Sequence, residues 1–372
     1  MRPPCDHATP SRCPAVLLSI LCAFGAFHAP GAAAALKPAQ LAIVINEADP
    51  DSVAMGEYYR KRRAIPAANV VHVRIPGKPR SIGAAQFRLL KQDIDRKLGP
   101  GIQAVLMVWT TPYAVECNAI TAAYTLGFDA RQCANTCAAG QPSPYFNSAS
   151  RRPYTDHGLR PSMLLPTGLP PGAGAPAAGS PAAGSPAGLS QMAARQGAQD
   201  LVDRGVAAGA RSLPASAYYL ATSEQARNSR AGFFPPPGRL PARRLTIRRV
   251  KADVLEGAQD VLVYQTGMAQ VAKLDTLSFV PGALADHLTS LGGDLLGSSQ
   301  MSSLRWLEAG ATASYGTVSE PCNHWQKFPN STVLLRRYLS GDSAIEAYWK
   351  SVAWPAQGLF IGEPLAAPYR ER

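Results

Sequence analysis

A cysteine and two histidines near the C-terminus are the residues best suited to covalent chemistry. Cys322 stands two positions before His324, and His287 precedes both. An imidazole beside a cysteine can produce the thiolate that makes sulfur nucleophilic near neutral pH. The alternative interpretation, which we favour, is a disulfide between Cys322 and a cysteine of the loop that covers residues 110–165.

A second set of candidate groups consists of His287 and its neighbours in the sequence. Asp286, His287 and Ser290 supply the side-chain types of an acid–base–hydroxyl set. Adjacent residues on a helix do not face each other, so Asp286 would not orient His287 there. Glu320 stands at a predicted strand end, before a proline. The candidate catalytic residues of a hydrolase are therefore His287, Asp286, Glu320 and Cys322.

Further polar residues directly follow predicted strands. Gln265 and Thr266 end one apolar run, while Glu224 and Arg227 follow another. Ligands of open α/β sheets bind beyond the carboxyl ends of the strands. Taken singly, such residues more often begin helices or form ion pairs. We predict a ligand-binding role for Gln265, Thr266, Ser290, Glu224 and Arg227.

Apolar runs alternate with segments of helical periodicity along the N-terminal half. Strands are predicted near 41–46, 69–75 and 103–109, with helices between them. This rhythm predicts a parallel sheet with right-handed crossovers. Later, a polar segment at 281–293 is framed by glycines, and a helix is predicted at 299–308. Neither nucleotide-binding glycine motif is present, and we expect no cofactor.

The N-terminus has the features of a secretion signal. Arginines precede an apolar run at 15–24, and small residues at 32–35 offer a cleavage site. The run is too short to span a membrane. We predict a signal peptide at 1–35 and one α/β domain at 36–372, with a cover loop at 110–165 and a low-complexity insertion at 168–188. Residues 161–165 are expected to close the cover loop as an edge strand. The mature protein is expected to be exported, periplasmic or extracellular, and not membrane-spanning.

Four cysteines remain after removal of the predicted signal. They are Cys117, Cys133, Cys137 and Cys322. In an oxidising compartment they predict up to two disulfides, with three possible pairings. Cys133 and Cys137 could be half of a zinc site, but no second ligand pair stands nearby, so we predict no metal.

The formal net charge of the chain is +12. Basic runs occur at 60–63 and at 243–244 with 248–249. Nucleic acid is the usual partner of such a charge, but export argues against it. The plain interpretation is that the arginines cover solvent-facing surfaces. The alternative is attraction to an anionic envelope polymer or a lipid surface.

Several motifs resemble an uncharacterised family of exported bacterial proteins that occurs in genomes carrying exosortase, the sorting transpeptidase. The resemblance implies a setting in the cell envelope and no particular activity. It covers nearly all of the mature chain except the low-complexity insertion. The motifs lie at 49–52, 57–59, 63–69, 281–293, 306–312, 316–321 and 358–364.

A fainter resemblance is to the gingipain and caspase-like cysteine peptidases. Residues 265–267 stand where that family has His-Gly, and 283–290 contains no cysteine where the nucleophile is expected. The terminal turn at 362–364 is similar. The resemblance implies a mostly parallel three-layer sandwich without the peptidase dyad. It suggests a binding or assembly factor whose partner is an envelope polysaccharide or an exported protein. The alternative is a hydrolase with the rewired site named above.

Overall fold

The computed structural model describes residues 35–148, 159–169, 186–209 and 213–370. Nearly all of the predicted signal peptide, and most of the predicted low-complexity insertion, lie outside these ranges. No helix within them is long and apolar enough to cross a membrane.

The strands and helices alternate as the periodicity predicts in the first half of the chain. The strands are β1 (Leu41–Asn46), β2 (Val70–Val73), β3 (Ser81–Ile82), β4 (Ala104–Val108), β5 (Ala114–Val115), β6 (Asn118–Ala119), β7 (Ser162–Leu165), β8 (Ala215–Ala221), β9 (Gly238–Leu240), β10 (Leu245–Lys251), β11 (Val261–Thr266), β12 (Phe279–His287), β13 (Ala313–Thr317) and β14 (Gly358–Gly362). The helices are α1 (Pro50–Arg62), α2 (Ala84–Lys97), α3 (Ile120–Leu126), α4 (Ala130–Ala134), α5 (Pro186–Ala207), α6 (Leu304–Glu308), α7 (Ser331–Leu339) and α8 (Ala344–Ser351).

One 11-stranded sheet, in the order β2-β1-β4-β7-β14-β13-β12-β11-β8-β10-β9, organises the molecule. It contains two parallel blocks, β2-β1-β4-β7 and β13-β12-β11-β8-β10, and β14 lies between them, antiparallel to β13. The edge strand β9 is also antiparallel to its neighbour. The carboxyl ends of β8, β11, β12 and β13 therefore share one edge of the sheet.

Both faces of the central strands are covered. Every residue of β1, β4, β11, β13 and β14 is buried, as expected for parallel strands between two helical layers. The predicted fold class, an α/β sandwich with a mostly parallel sheet and helices on both faces, is confirmed. A small sheet of β3, β5 and β6 lies in addition to it.

Three local predictions differ from the structure. The strand predicted to close the cover loop as an edge is β7, which lies between β4 and β14 inside the sheet. The segment 281–293, interpreted as a polar cluster, contains most of the nine-residue strand β12. The helix predicted from residue 299 begins only at Leu304. Polar composition misled the second prediction, because Asp286 and His287 are strand residues with polar partners inside the core.

A buried ion pair joins the end of α1 to the end of β14. Glu363 is fully buried, and Arg63 binds it through Nε at 2.9 Å and Nη2. The Tyr59 hydroxyl donates to the same carboxylate at 2.7 Å. Such a pair contributes little to stability compared with apolar packing. Loss of one partner, however, leaves the other charge in the core without a counter-charge.

Arg63→Ala is therefore expected to destabilise the protein by about 3–5 kcal/mol, because Glu363 loses its counter-charge. Arg60→Ala, on the same helix, removes only the partly exposed pair with Glu57 and should cost less than about 1 kcal/mol. Denaturant unfolding of the two variants measures the difference. Equal destabilisation would contradict this assignment.

Candidate functional site

A buried ion pair lies where β11 and β12 end. Arg230, from the loop after β8, is 1% exposed, and its partner Asp286 is fully buried. The Arg230 guanidinium also donates to the carbonyl oxygen of Thr266 at 2.9 Å and to that of Asp286 at 3.1 Å. One side chain thus ties together the ends of two neighbouring strands.

Asp286 is fully engaged inside the core. Its Oδ2 accepts a hydrogen bond of 2.8 Å from Gln265 Nε2. Gln265 is paired in register with both Asp286 and Tyr219, so the three form one buried row across β12, β11 and β8. Burial, and secondarily the charge of Asp286, raise the pKa of Tyr219. Gln265 and Thr266 are likewise buried, so none of these groups faces a ligand.

His287 is a neutral core residue. Its Nδ1 accepts a hydrogen bond of 2.9 Å from Trp306 Nε1, which leaves Nε2 to donate to the carbonyl oxygen of Met301 at 3.1 Å. Burial lowers the pKa of His287 to about 3. Both ring nitrogens are occupied, so His287 contacts neither Cys322 nor a carboxylate.

The disulfide interpretation of Cys322 is confirmed. Cys137 and Cys322 are bonded, with Cα atoms 5.2 Å apart, and Cys117 is bonded to Cys133, with Cα atoms 5.3 Å apart. Cys322 therefore has no free thiol that could form a nucleophilic thiolate. Glu320 accepts the backbone N–H of Cys322 at 2.7 Å, which stabilises the turn that carries the disulfide. Among the described residues, no hydrogen bond or ion pair joins the side chains of any two of the four candidate catalytic residues.

Glu224 and Arg227 form an ion pair beside the ends of β11 and β12. Glu224 accepts the backbone N–H of Ala269 at 3.1 Å. Arg227 Nε donates to Thr289 Oγ1 at 3.3 Å, and that hydroxyl donates to Gln300 Oε1 at 2.8 Å. The pair thus connects the loops that follow three strands. The partly buried Ser290 contributes its carbonyl oxygen, which accepts from Thr317 Oγ1 at 2.9 Å.

A cleft of about 710 Å³ opens next to these loops. It is bounded by the loop after β11, the loop after β12 and the helix α6. Its apolar residues include Val271, Leu274, Met301 and Leu304, and its charged residues are Lys273, Asp275, Arg305 and Glu308.

None of the predicted site residues lines this cleft. Several of them instead form hydrogen bonds that connect to the residues lining the cleft. His287 binds the carbonyl of the wall residue Met301, and the Arg227–Thr289 contact leads to the wall residue Gln300. The residues predicted from strand ends therefore lie in the layer that supports this cleft.

Three residues with important buried contacts were not predicted from the sequence. Arg230 binds Asp286, and Trp306 binds His287. Their only sequence signal was a position after a strand, for Arg230, or within a helix, for Trp306. Lys327 is the third: it has no exposed surface, and its Nζ donates to the carbonyl oxygen of Thr136 in the cover loop. Burial lowers the pKa of Lys327 to about 8.

Comparisons with known proteins identify only distant structural similarity. No family model matches the chain, and no curated protein matches it in sequence. A solved structure of a protease is 9% identical, with a TM-score of 0.42, over 90% of this chain and 79% of that one. The complex of the pro- and mature domains of RgpB from Porphyromonas gingivalis is 9% identical, with a TM-score of 0.36, over 87% and 78% of the two chains.

The depressed pKa of Lys327 predicts a pH dependence of stability. Its ordinary pKa of 10.5 applies to the unfolded chain. Between about pH 8 and 10.5 the unfolded state therefore binds more protons, so the Lys327 contribution to stability rises with pH. Below about pH 8 the full penalty of the buried ammonium is present.

We expect the free energy of unfolding of the wild type, minus that of Lys327→Met, to increase from pH 7 to pH 10. Taking the difference cancels the titration of other groups. Denaturant unfolding at several pH values measures it. A difference that is constant across this range would show that the amine of Lys327 is not depressed.

Proposed function

We propose that this chain is a non-catalytic binding protein that acts outside the cytoplasm. Its cleft would receive an extended polypeptide segment of another exported protein, in assembly of the cell envelope of bacteria that carry exosortase. The observation that carries the proposal is a cleft beside the loops that follow β11 and β12, in a protein whose Cys322 and His287 are both chemically engaged elsewhere.

The compartment is supported by the cysteines. All four that lie in the described part of the chain are paired in disulfides. Disulfides persist in oxidising environments and are rare in the cytosol. The signal-like N-terminal sequence is consistent with the same compartment.

Within the part of the chain that the structure describes, the candidate nucleophile Cys322 is not positioned for peptidase chemistry. A thiolate needs a free cysteine and a base within hydrogen-bond reach. Here Cys322 is oxidised, and both ring nitrogens of His287 are bonded within the core. The hydrolase alternative would need its carboxylates near a free base, yet Asp286 is bound by Arg230 and Gln265.

The cleft itself suits a peptide. Its volume of about 710 Å³ falls within the common range of ligand sites. An apolar floor can receive a side chain, and the polar groups at the rim can bind backbone amides. The rim carries two residues of each charge, which does not favour a highly charged ligand. Leu296, at the mouth, is 50% exposed although it is apolar.

A thiol-reactive peptidyl chloromethyl ketone should not label the native mature protein, because Cys117, Cys133, Cys137 and Cys322 are all paired in disulfides. The reagent should label all four of these cysteines after reduction and unfolding, which is the positive control. Intact mass spectrometry measures the label. Stoichiometric labelling of native Cys322, or cleavage of a peptide substrate, would contradict a non-catalytic function.

Leu296→Glu should weaken peptide binding at least about tenfold, which corresponds to the loss of about 1.4 kcal/mol of binding free energy. The matched control is Leu89→Glu, because Leu89 is 64% exposed and lies outside the cleft. An array of 12-residue peptides from exported proteins identifies a binder, and fluorescence anisotropy then compares the variants.

Binding that is unchanged in Leu296→Glu, or weakened equally in both variants, would place the peptide elsewhere. Absence of any binder on the array would overturn the polypeptide as ligand.

A further inference from the structure

The two basic runs of the sequence have different electrostatic surroundings. On α1, Arg60 pairs with Glu57 at 3.1 Å, and Arg62 pairs with Asp203 at 2.6 Å. Arg63 is held by the buried Glu363. Most of the positive charge of this run is therefore balanced by neighbouring carboxylates.

The second run, on β9 and β10, is not balanced. We define the basic edge as Arg239, Arg243, Arg248, Arg249 and Lys251. All are exposed except the half-buried Arg243. Among the described residues, none of the five forms an ion pair with a carboxylate. The sequence from 225 to 252 also contains no acidic residue.

The contacts that the side chains of the basic edge make within the protein do not neutralise their positive charge. Arg243 lies over the ring of Tyr369, and Arg248 lies over the ring of Tyr218, each at 5.9 Å from the ring centroid. Arg248 Nε also donates to Ser216 Oγ at 3.4 Å. The nearby carboxylate of Asp260 accepts from the hydroxyls of Ser216 and Tyr218, so it does not bind the arginine directly.

Two geometric features restrict what could bind here. Strand β9 pairs only with residues 245–247 of β10, so residues 248–251 have a neighbour on one side only. Successive strand side chains point to opposite faces. Arg248 therefore lies on the face of its register partner Tyr218, while Arg249 and Lys251 lie on the other face.

We propose that the basic edge binds a linear anionic polysaccharide that carries carboxylates. A flexible polymer running along about 20 Å of strand can contact cations on both faces, whereas a flat bilayer cannot. Arginine suits carboxylates because its guanidinium donates in a forked geometry. An added peptide strand fits poorly, because Pro241 and the prolines at 235–237 flank β9 and leave a short, staggered edge.

Charges on an edge strand also serve to prevent edge-to-edge association. The five cations of the basic edge, which have no carboxylate partners, repel one another, and a bound polyanion would relieve this repulsion. This surface is separate from the cleft, so the inference does not depend on the peptide ligand proposed above.

The test compares two triple variants that remove equal charge. Arg248→Gln/Arg249→Gln/Lys251→Gln alters the basic edge, and Arg60→Gln/Lys61→Gln/Arg62→Gln alters the balanced run on α1. Polygalacturonate is the probe and neutral dextran is its control, with calorimetry at 50 mM salt. We expect the first triple to weaken binding at least about tenfold and the second less than about twofold, because the first removes three cations without carboxylate partners, whereas Arg60 and Arg62 in the second are paired. Binding should weaken steeply by 300 mM salt.

Several results would overturn the inference. Equal weakening by both triple variants would show that the binding depends only on net charge. Tighter binding of anionic vesicles, or of a polyglutamate peptide, than of polygalacturonate would assign the surface to a membrane or to an acidic protein. Circular dichroism of both variants checks that each is folded, and single Arg248→Gln and Arg249→Gln substitutions replace the first triple if it is not.

Discussion

The guanidinium of Arg230 connects three segments that are far apart in the sequence. It lies after β8, neutralises Asp286 on β12, and binds the last carbonyl of β11. A buried arginine without a counter-charge is strongly unfavourable, as is a buried carboxylate. Each therefore requires the other, and both require the strands to end at matching positions. The loops that form the cleft begin at these strand ends, so their positions depend on this one interaction.

The polar residues at this edge form a layer that supports the cleft. His287 and Thr289 bind backbone and side-chain groups of the cleft walls, and Glu224 binds the backbone of Ala269, next to the wall residue Gln270. A group that accepts or donates every hydrogen bond within the protein has none left for chemistry. The side chains that a hydrolase could use are therefore committed to contacts within the protein. Rigid walls also favour binding, since less conformational freedom is lost when a ligand docks.

The two halves of the sheet are joined by interactions distant in sequence. The antiparallel pair β13/β14 lies between the two parallel blocks, and the Cys137–Cys322 disulfide links residues 185 positions apart. That disulfide attaches the cover loop to the segment after β13, where Lys327 binds the same loop through Thr136. The cover loop is thus held covalently and by a buried cation against the edge of the sheet that carries the cleft.

The sequence by itself determined the α/β class and the positions of most strands, because apolar runs and helical periodicity are local signals. It also indicated that polar residues follow β8, β11 and β12. Tertiary structure alone decided the pairing of Cys322, the place of β14 between the two parallel blocks and the engagement of His287. The partners of these groups lie tens to hundreds of residues away, and their proximity arises only when the strands pair. A strand that ends in buried polar residues, as β12 does, looks like a loop until its partners, Arg230 and Trp306, are brought beside it.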